Sequence, residues 1–198
     1  MRPMWVTTLM VFLLAGAFLS PQGAAFPVYA ASGEGVDRCE EGALPQVVRS
    51  RLKQEFATWK IQTPAALSPS ARKRWEAEKP AHCPGIAVGR FDNAKALSYA
   101  ILLVSRGDID EGYRFLVFSS KDGQRSYEMR VVDSGESGGS HFFTFAVRMS
   151  KFFDKESRKK FQAYTSDGIL LLDAAEQEYE VDVYFWVNGN YQHQPVDY

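Results

Sequence analysis

The chain has 198 residues, with 23 basic and 24 acidic side chains and a formal net charge of −1. So even a balance argues against a nucleic acid or an anionic membrane surface as partner. Aromatic residues make up 14 % of the chain, which fits a β-rich core.

The first residues read as an export signal. Arg2 supplies a minimal basic start, and Met4 to Leu19 is apolar except for Thr7 and Thr8. That run is shorter than the roughly 20 residues a spanning helix needs, and no basic stop signal follows it. Val28-Tyr29-Ala30 offers a small-x-small-like cleavage site before Ala31. No cysteine closes the apolar run, which argues against a lipid anchor. The expectation is a signal peptide over 1–30 and a periplasmic or extracellular protein with no integral membrane segment once the signal is removed. The leader holds one basic and no acidic residue, so its removal takes the net charge from −1 to −2.

Residues 31–43 form a polar lead-in anchored by Cys39, and 44–198 read as a single α+β domain. Cys39 and Cys83 are the chain's two cysteines. In an exported protein they most simply form one disulfide. The bridge would tie the mature N-terminus to the first strand and contribute about 4 kcal/mol in the chain-entropy model. Leu44-Pro45 opens a helix whose apolar face is Val48, Leu52, Phe56 and Trp59. A second helix starts at Ser68-Pro69, runs to about Glu78 and is anchored by Trp75.

After Pro84 the pattern turns to period two. Strands are expected at about 86–91, 97–105, 112–119, 126–132, 142–148, 160–164, 169–173, 180–187 and 191–196. Turns are marked by Asp92-Asn93, Lys121-Asp122-Gly123, Ser166-Asp167-Gly168 and Asn188-Gly189. Asn-Gly fits a two-residue type I′ hairpin turn. Ala100 to Val104 is apolar on both faces and belongs at a sheet centre. Helices followed by many short strands predict an α+β fold, with the N-terminal helices packed on one mainly antiparallel sheet.

Two short strings suggest a serine hydrolase. Gly135-Glu136-Ser137-Gly138-Gly139 fits Gly-x-Ser-x-Gly and resembles the nucleophile segment of trypsin-like proteases. Ala81-His82-Cys83 resembles their histidine segment. The spacing argues against both. Too few residues separate His82 from Ser137 to complete one β-barrel and enter another, and the residues before His82 read as helical. An α/β-hydrolase needs a helix after the serine, whereas Phe142, Phe143, Phe145 and Val147 read as a strand. Asp133 to Ser140 is therefore a glycine-serine connector, and a secreted hydrolase using Ser137 is the alternative reading.

His82, His141 and His193 show no ligand spacing, so no metal or cofactor is expected. Glu176, Glu178, Glu180 and Asp182 share one strand face, and Lys151, Lys155, Arg158, Lys159 and Lys160 form a basic cluster. Both read as solvated surface. The hairpin at Asn188-Gly189 should send Val181, Val183, Phe185 and Val187 to a buried face. The other face then carries Asp182, Tyr184 and Trp186, and its rings, with Tyr191, are the candidate partner-binding residues.

The stretch from Cys83 to Val104 resembles the strand-turn-strand motif of FG-GAP-type β-propeller repeats, through Gly89-Arg90-Phe91-Asp92-Asn93. The calcium-binding positions of that motif are replaced by Ala94-Lys95-Ala96, so the likeness implies a strand-turn-strand alone. More loosely, Cys83-Pro84-Gly85, Gly89-Arg90-Phe91, Tyr99-Ala100-Ile101-Leu102-Leu103 and the ending Tyr184 to Tyr191 resemble small exported bacterial proteins without an assigned activity. That likeness carries no catalytic residues across. The expected function is a non-catalytic exported binding module, of inhibitor, immunity or envelope type, whose partner is another protein or an envelope component.

Overall fold

A computed structural model describes residues 39, 41–78, 82–92, 95–108, 110–121, 125–151, 167–175 and 179–196. The expected signal peptide, the strand at 160–164, Glu176, Glu178, Lys155, Arg158, Lys159 and Lys160 lie outside these residues. Among the described residues no helix is long and apolar enough to cross a membrane.

Helix α1 spans Gln46–Glu55 and is followed by strand β1, Trp59–Ile61. Helix α2 spans Pro69–Glu78. The Ser68 hydroxyl accepts the Ala71 N–H at 3.3 Å, which caps its first turn. Strands β2 (Ile86–Gly89), β3 (Ser98–Ser105), β4 (Tyr113–Lys121) and β5 (Ser126–Gly135) follow. Then come β6 (Phe142–Arg148), β7 (Asp167–Asp173), β8 (Glu180–Val187) and β9 (Asn190–Pro195).

β structure dominates the described residues, with nine strands against two α-helices. The strands form two antiparallel sheets instead of the one expected from the sequence. In sheet A, β3 pairs with β1 and β2 along one edge and with β4 along the other, and β5 pairs with β4. Sheet B is the meander β6-β7-β8-β9. The apolar runs explain the division. In β3, Ala100 and Leu102 face sheet B, while Ile101 and Leu103 face the opposite way. In β7, Ile169 and Leu171 meet sheet A, and Leu170 and Leu172 point outward. A strand apolar on both faces needs cover on both, and each sheet supplies half of it.

The helices supply the rest on opposite sides, not on one side as expected. Val48 and Leu52 of α1 join Ile101, Leu103, Leu116 and Phe118 on the outer face of sheet A. Ala71 and Trp75 of α2 join Phe143, Leu170, Leu172, Val183 and Phe185 on the outer face of sheet B. The order of layers is therefore α1, sheet A, sheet B, α2. Cys39 and Cys83 are buried in the sheet A cluster and joined as a disulfide, with Cα atoms 5.0 Å apart.

Trp59 departs from the expected helix. Its spacing from Phe56 is helical, but α1 stops at Glu55, and Phe56 leaves helical geometry with φ −129° and ψ 42°. The Trp59 N–H then closes a turn on the Phe56 carbonyl at 2.9 Å, and Trp59 pairs with Ser105 as the first residue of β1.

Candidate functional site

The β8–β9 hairpin is set by its turn. Asn188 and Gly189 both hold positive φ, 50° and 86°, and Val187 pairs with Asn190 across them. Such φ values are cheap for glycine and tolerated by asparagine. The register places Tyr184 opposite His193 and Trp186 opposite Tyr191. Val181, Val183, Phe185 and Val187 turn to the α2 side and are buried. Tyr184 turns to the sheet A side, and by alternation Asp182 and Trp186 share that face.

That face is graded from buried to open. At its buried end, Tyr184 is 3 % exposed and donates its phenol to Asp133 Oδ2 at 2.6 Å. Tyr113, from β4, donates to the same oxygen at 3.0 Å. The Ser134 N–H holds the other oxygen, Oδ1, at 2.7 Å. One carboxylate on β5 thus ties β4 and β8, and with them the two sheets. Burial raises both phenols above the usual tyrosine range, and the charge and hydrogen bond of Asp133 push them further. Both are therefore fixed donors and not bases. His193 stacks on Tyr184 with ring centres 5.3 Å apart, and its Nδ1 lies 3.3 Å from Asp182 Oδ1.

Towards the turn the surface opens. Trp186 is half-buried. The Arg130 guanidinium lies 4.6 Å from its ring centre, and Tyr191 meets it edge-on at 5.0 Å. Arg130 is itself paired with Glu128, which also binds Lys121 at 2.6 Å. The hydrogen bond from Lys121, with the charges of Arg130 and Lys121, holds the Glu128 carboxyl below its ordinary range. Burial pushes the Tyr191 phenol upward, with the nearby Asp92 charge adding to it. Of the candidate rings, Tyr184 is part of the inter-sheet core, Tyr191 packs against that core with its hydroxyl buried, and Trp186 is the partly exposed ring braced beside it. Arg130, Asp133 and Tyr113 escaped the sequence reading. Tyr113 and Arg130 sit on expected strands, whereas Asp133, expected to open the glycine-serine connector, lies on β5, which runs on to Gly135 by pairing with β4. Nothing in the strand pattern shows which residues of sheet B they face.

Among the described strands, the glycine-serine segment is the link from one sheet to the other, from β5 into a short 3-10 turn at Gly139–His141 and then β6. It is pinned from several sides. The Gly138 N–H donates to the Asp110 carbonyl at 3.0 Å, and the Ser140 hydroxyl binds the Asp110 carboxylate. The fully buried Gln62 donates Nε2 to the Gly139 and Phe142 carbonyls at 2.9 and 3.1 Å. Gly138 holds φ 76°, a conformation that favours glycine. Ser137 is exposed. Among the described residues no histidine or carboxylate side chain bonds its hydroxyl. His82 lies before β2, His141 in the connector and His193 on β9. Among the described residues no three His, Cys, Asp or Glu side chains gather into a metal-holding group. Asp92 of the FG-GAP-like stretch accepts the Ser98 hydroxyl at 2.7 Å. Asn93 lies outside the described residues.

No protein-family model matches the chain, and it matches no curated protein and no solved structure.

Proposed function

We propose that this protein is an exported, non-catalytic binding module that engages another protein or an envelope component through the open end of the β8–β9 face. One observation carries the reading: Trp186 is half-exposed yet held between the Arg130 guanidinium and the edge of Tyr191. A large ring fixed before contact loses little side-chain freedom on binding, and Trp, Tyr and Arg are the residues that most often dominate interface energetics. The disulfide supports export, because such bonds persist in oxidising compartments. Trp186→Ala leaves the buried Tyr184–Asp133–Tyr113 cluster in place, so it separates binding from folding.

The test is parallel capture from an envelope extract of the producing cell, with the oxidised protein and its Trp186→Ala variant as baits. A partner held by the parent and lost by the variant supports the reading. Equal capture by both removes Trp186 from the interface. Labelling of Ser137 by a fluorophosphonate probe would overturn the non-catalytic reading itself.

A further inference from the structure

A second surface lies on the opposite side of sheet A. Where α1 ends, Phe56, Trp59, Ile61 and Leu103 line a shallow groove of about 150 Å³. Its remaining lining includes three cations, Lys53, Lys60 and Arg106, and no acidic side chain. The chain as a whole is nearly neutral, so this concentration of positive charge is local. Two arginines are fixed in place. Arg106 donates its backbone N–H to the Thr58 carbonyl at 2.9 Å and its Nε to the Trp59 carbonyl at 2.8 Å. Arg114 lays its guanidinium 4.7 Å from the Trp59 ring centre. The carboxylates flanking these segments are engaged elsewhere, Glu55 by Arg51 at 2.6 Å, Asp108 by the Asp110 N–H at 2.9 Å and Glu111 by the Ser105 hydroxyl at 3.1 Å.

We infer that this groove docks an acidic peptide segment, seating one apolar side chain against Phe56 and Trp59 while flanking carboxylates meet Lys60 and Arg106. An apolar floor with a wholly cationic rim complements a chain that alternates apolar and acidic residues. Carboxylates form charge-assisted bonds with guanidinium groups, and complementary charge fixes orientation and speeds encounter. The groove is too small and open to enclose a free small molecule, whose sites usually measure roughly 300–1,000 Å³. A peptide needs only one side chain seated, with the rest of the strand lying across the rim.

The probe is a fluorescein-labelled peptide, Asp-Glu-Leu-Glu-Asp, titrated against the oxidised full chain by fluorescence anisotropy. Saturable binding is expected, weakening as salt rises. The double variant Lys60→Glu/Arg106→Glu should lose at least about tenfold in affinity while staying folded by circular dichroism, with a thermal midpoint lowered only by loss of the Arg106–Trp59 bond. Trp186→Ala should leave the affinity unchanged. On the peptide side, leucine to glycine should weaken binding without any question of folding, and a Lys-Lys-Leu-Lys-Lys control should not bind. Absence of binding, or binding that survives the double charge reversal, overturns the proposal. Heparin bound as tightly through the same two residues also overturns it, in favour of an anionic polysaccharide.

Discussion

Helix α2 lays Ala71 and Trp75 over the outer face of sheet B, where Phe143, Leu170 and Leu172 keep no exposed surface. Helix α1 has the same length, ten residues, yet covers sheet A less fully. Val48 and Leu52 are buried, but Phe56, Trp59, Tyr99 and Met129 at the margin of that cluster are only partly so. A helix of this length reaches about 15 Å, so it seals only the strands directly beneath it. On sheet B the outer face is closed beneath α2, with Tyr179 and Val196 partly buried at its margin, and contributes stability. On sheet A the chain leaves the helix early, starts an edge strand and leaves aromatic and cationic groups at an open groove.

The comparison can be broken most sharply on the closed face. Phe185→Ala should cost roughly 3–5 kcal/mol, read from the urea midpoint. A loss below about 1.5 kcal/mol would mean that α2 does not seal sheet B. The more open face should depend on its cross-link. Reducing the Cys39–Cys83 bond should cost roughly 2–4 kcal/mol, and free thiols in the oxidised, purified protein would remove that support altogether.

Between the sheets, Asp133→Ala leaves two phenols without their acceptor and should cost roughly 1–3 kcal/mol. The same cluster sets an alkaline limit. Tyr113 and Tyr184 keep their protons in the folded state above the ordinary tyrosine value. The unfolded chain then binds fewer protons at high pH, so their contribution is complete below about pH 10 and falls as pH rises beyond it. Ultraviolet titration should show these phenols ionising only with unfolding. Ionisation of every tyrosine near pH 10 in the folded protein would contradict the cluster.

On the half-open rim, Trp186→Ala should cost only about 1 kcal/mol. Ser137→Ala, on the exposed connector, should stay within about 0.5 kcal/mol. A cost there as large as at Phe185 would show that the segment does more than join the sheets.

The features legible in the sequence were those written in local chemistry. Asn188-Gly189 allowed positive φ at two successive residues, and so the hairpin and the burial of Phe185 could be read. Ser68-Pro69 marked the start of α2, and the two-sided apolar run at Ala100 to Val104 marked a central strand. The division into two sheets was not legible. Alternation shows that both faces of β3 need cover, but not whether a helix or another sheet provides it. Trp59 misled because its offset from Phe56 and Leu52 is helical, while the backbone turns after Glu55. At the candidate site Trp186 and Tyr191 were within reach. Asp133 and Arg130 were not, because their partners lie some fifty residues away in the chain on the other sheet.

The strand order also bears on how the chain finds its structure. Every ladder except β1–β3 joins strands that follow one another in sequence. Sheets assembled from such neighbours have lower contact order than those with long returns, and contact order sets folding speed. Single hairpins close in about 1–10 μs, which favours early pairing of neighbouring strands within each sheet. The pairing left with the longest sequence separations is that of one sheet with the other, joined through residues 136–141. Gln62 and Asp110, by gripping that link, fix the point at which the two halves are hinged together.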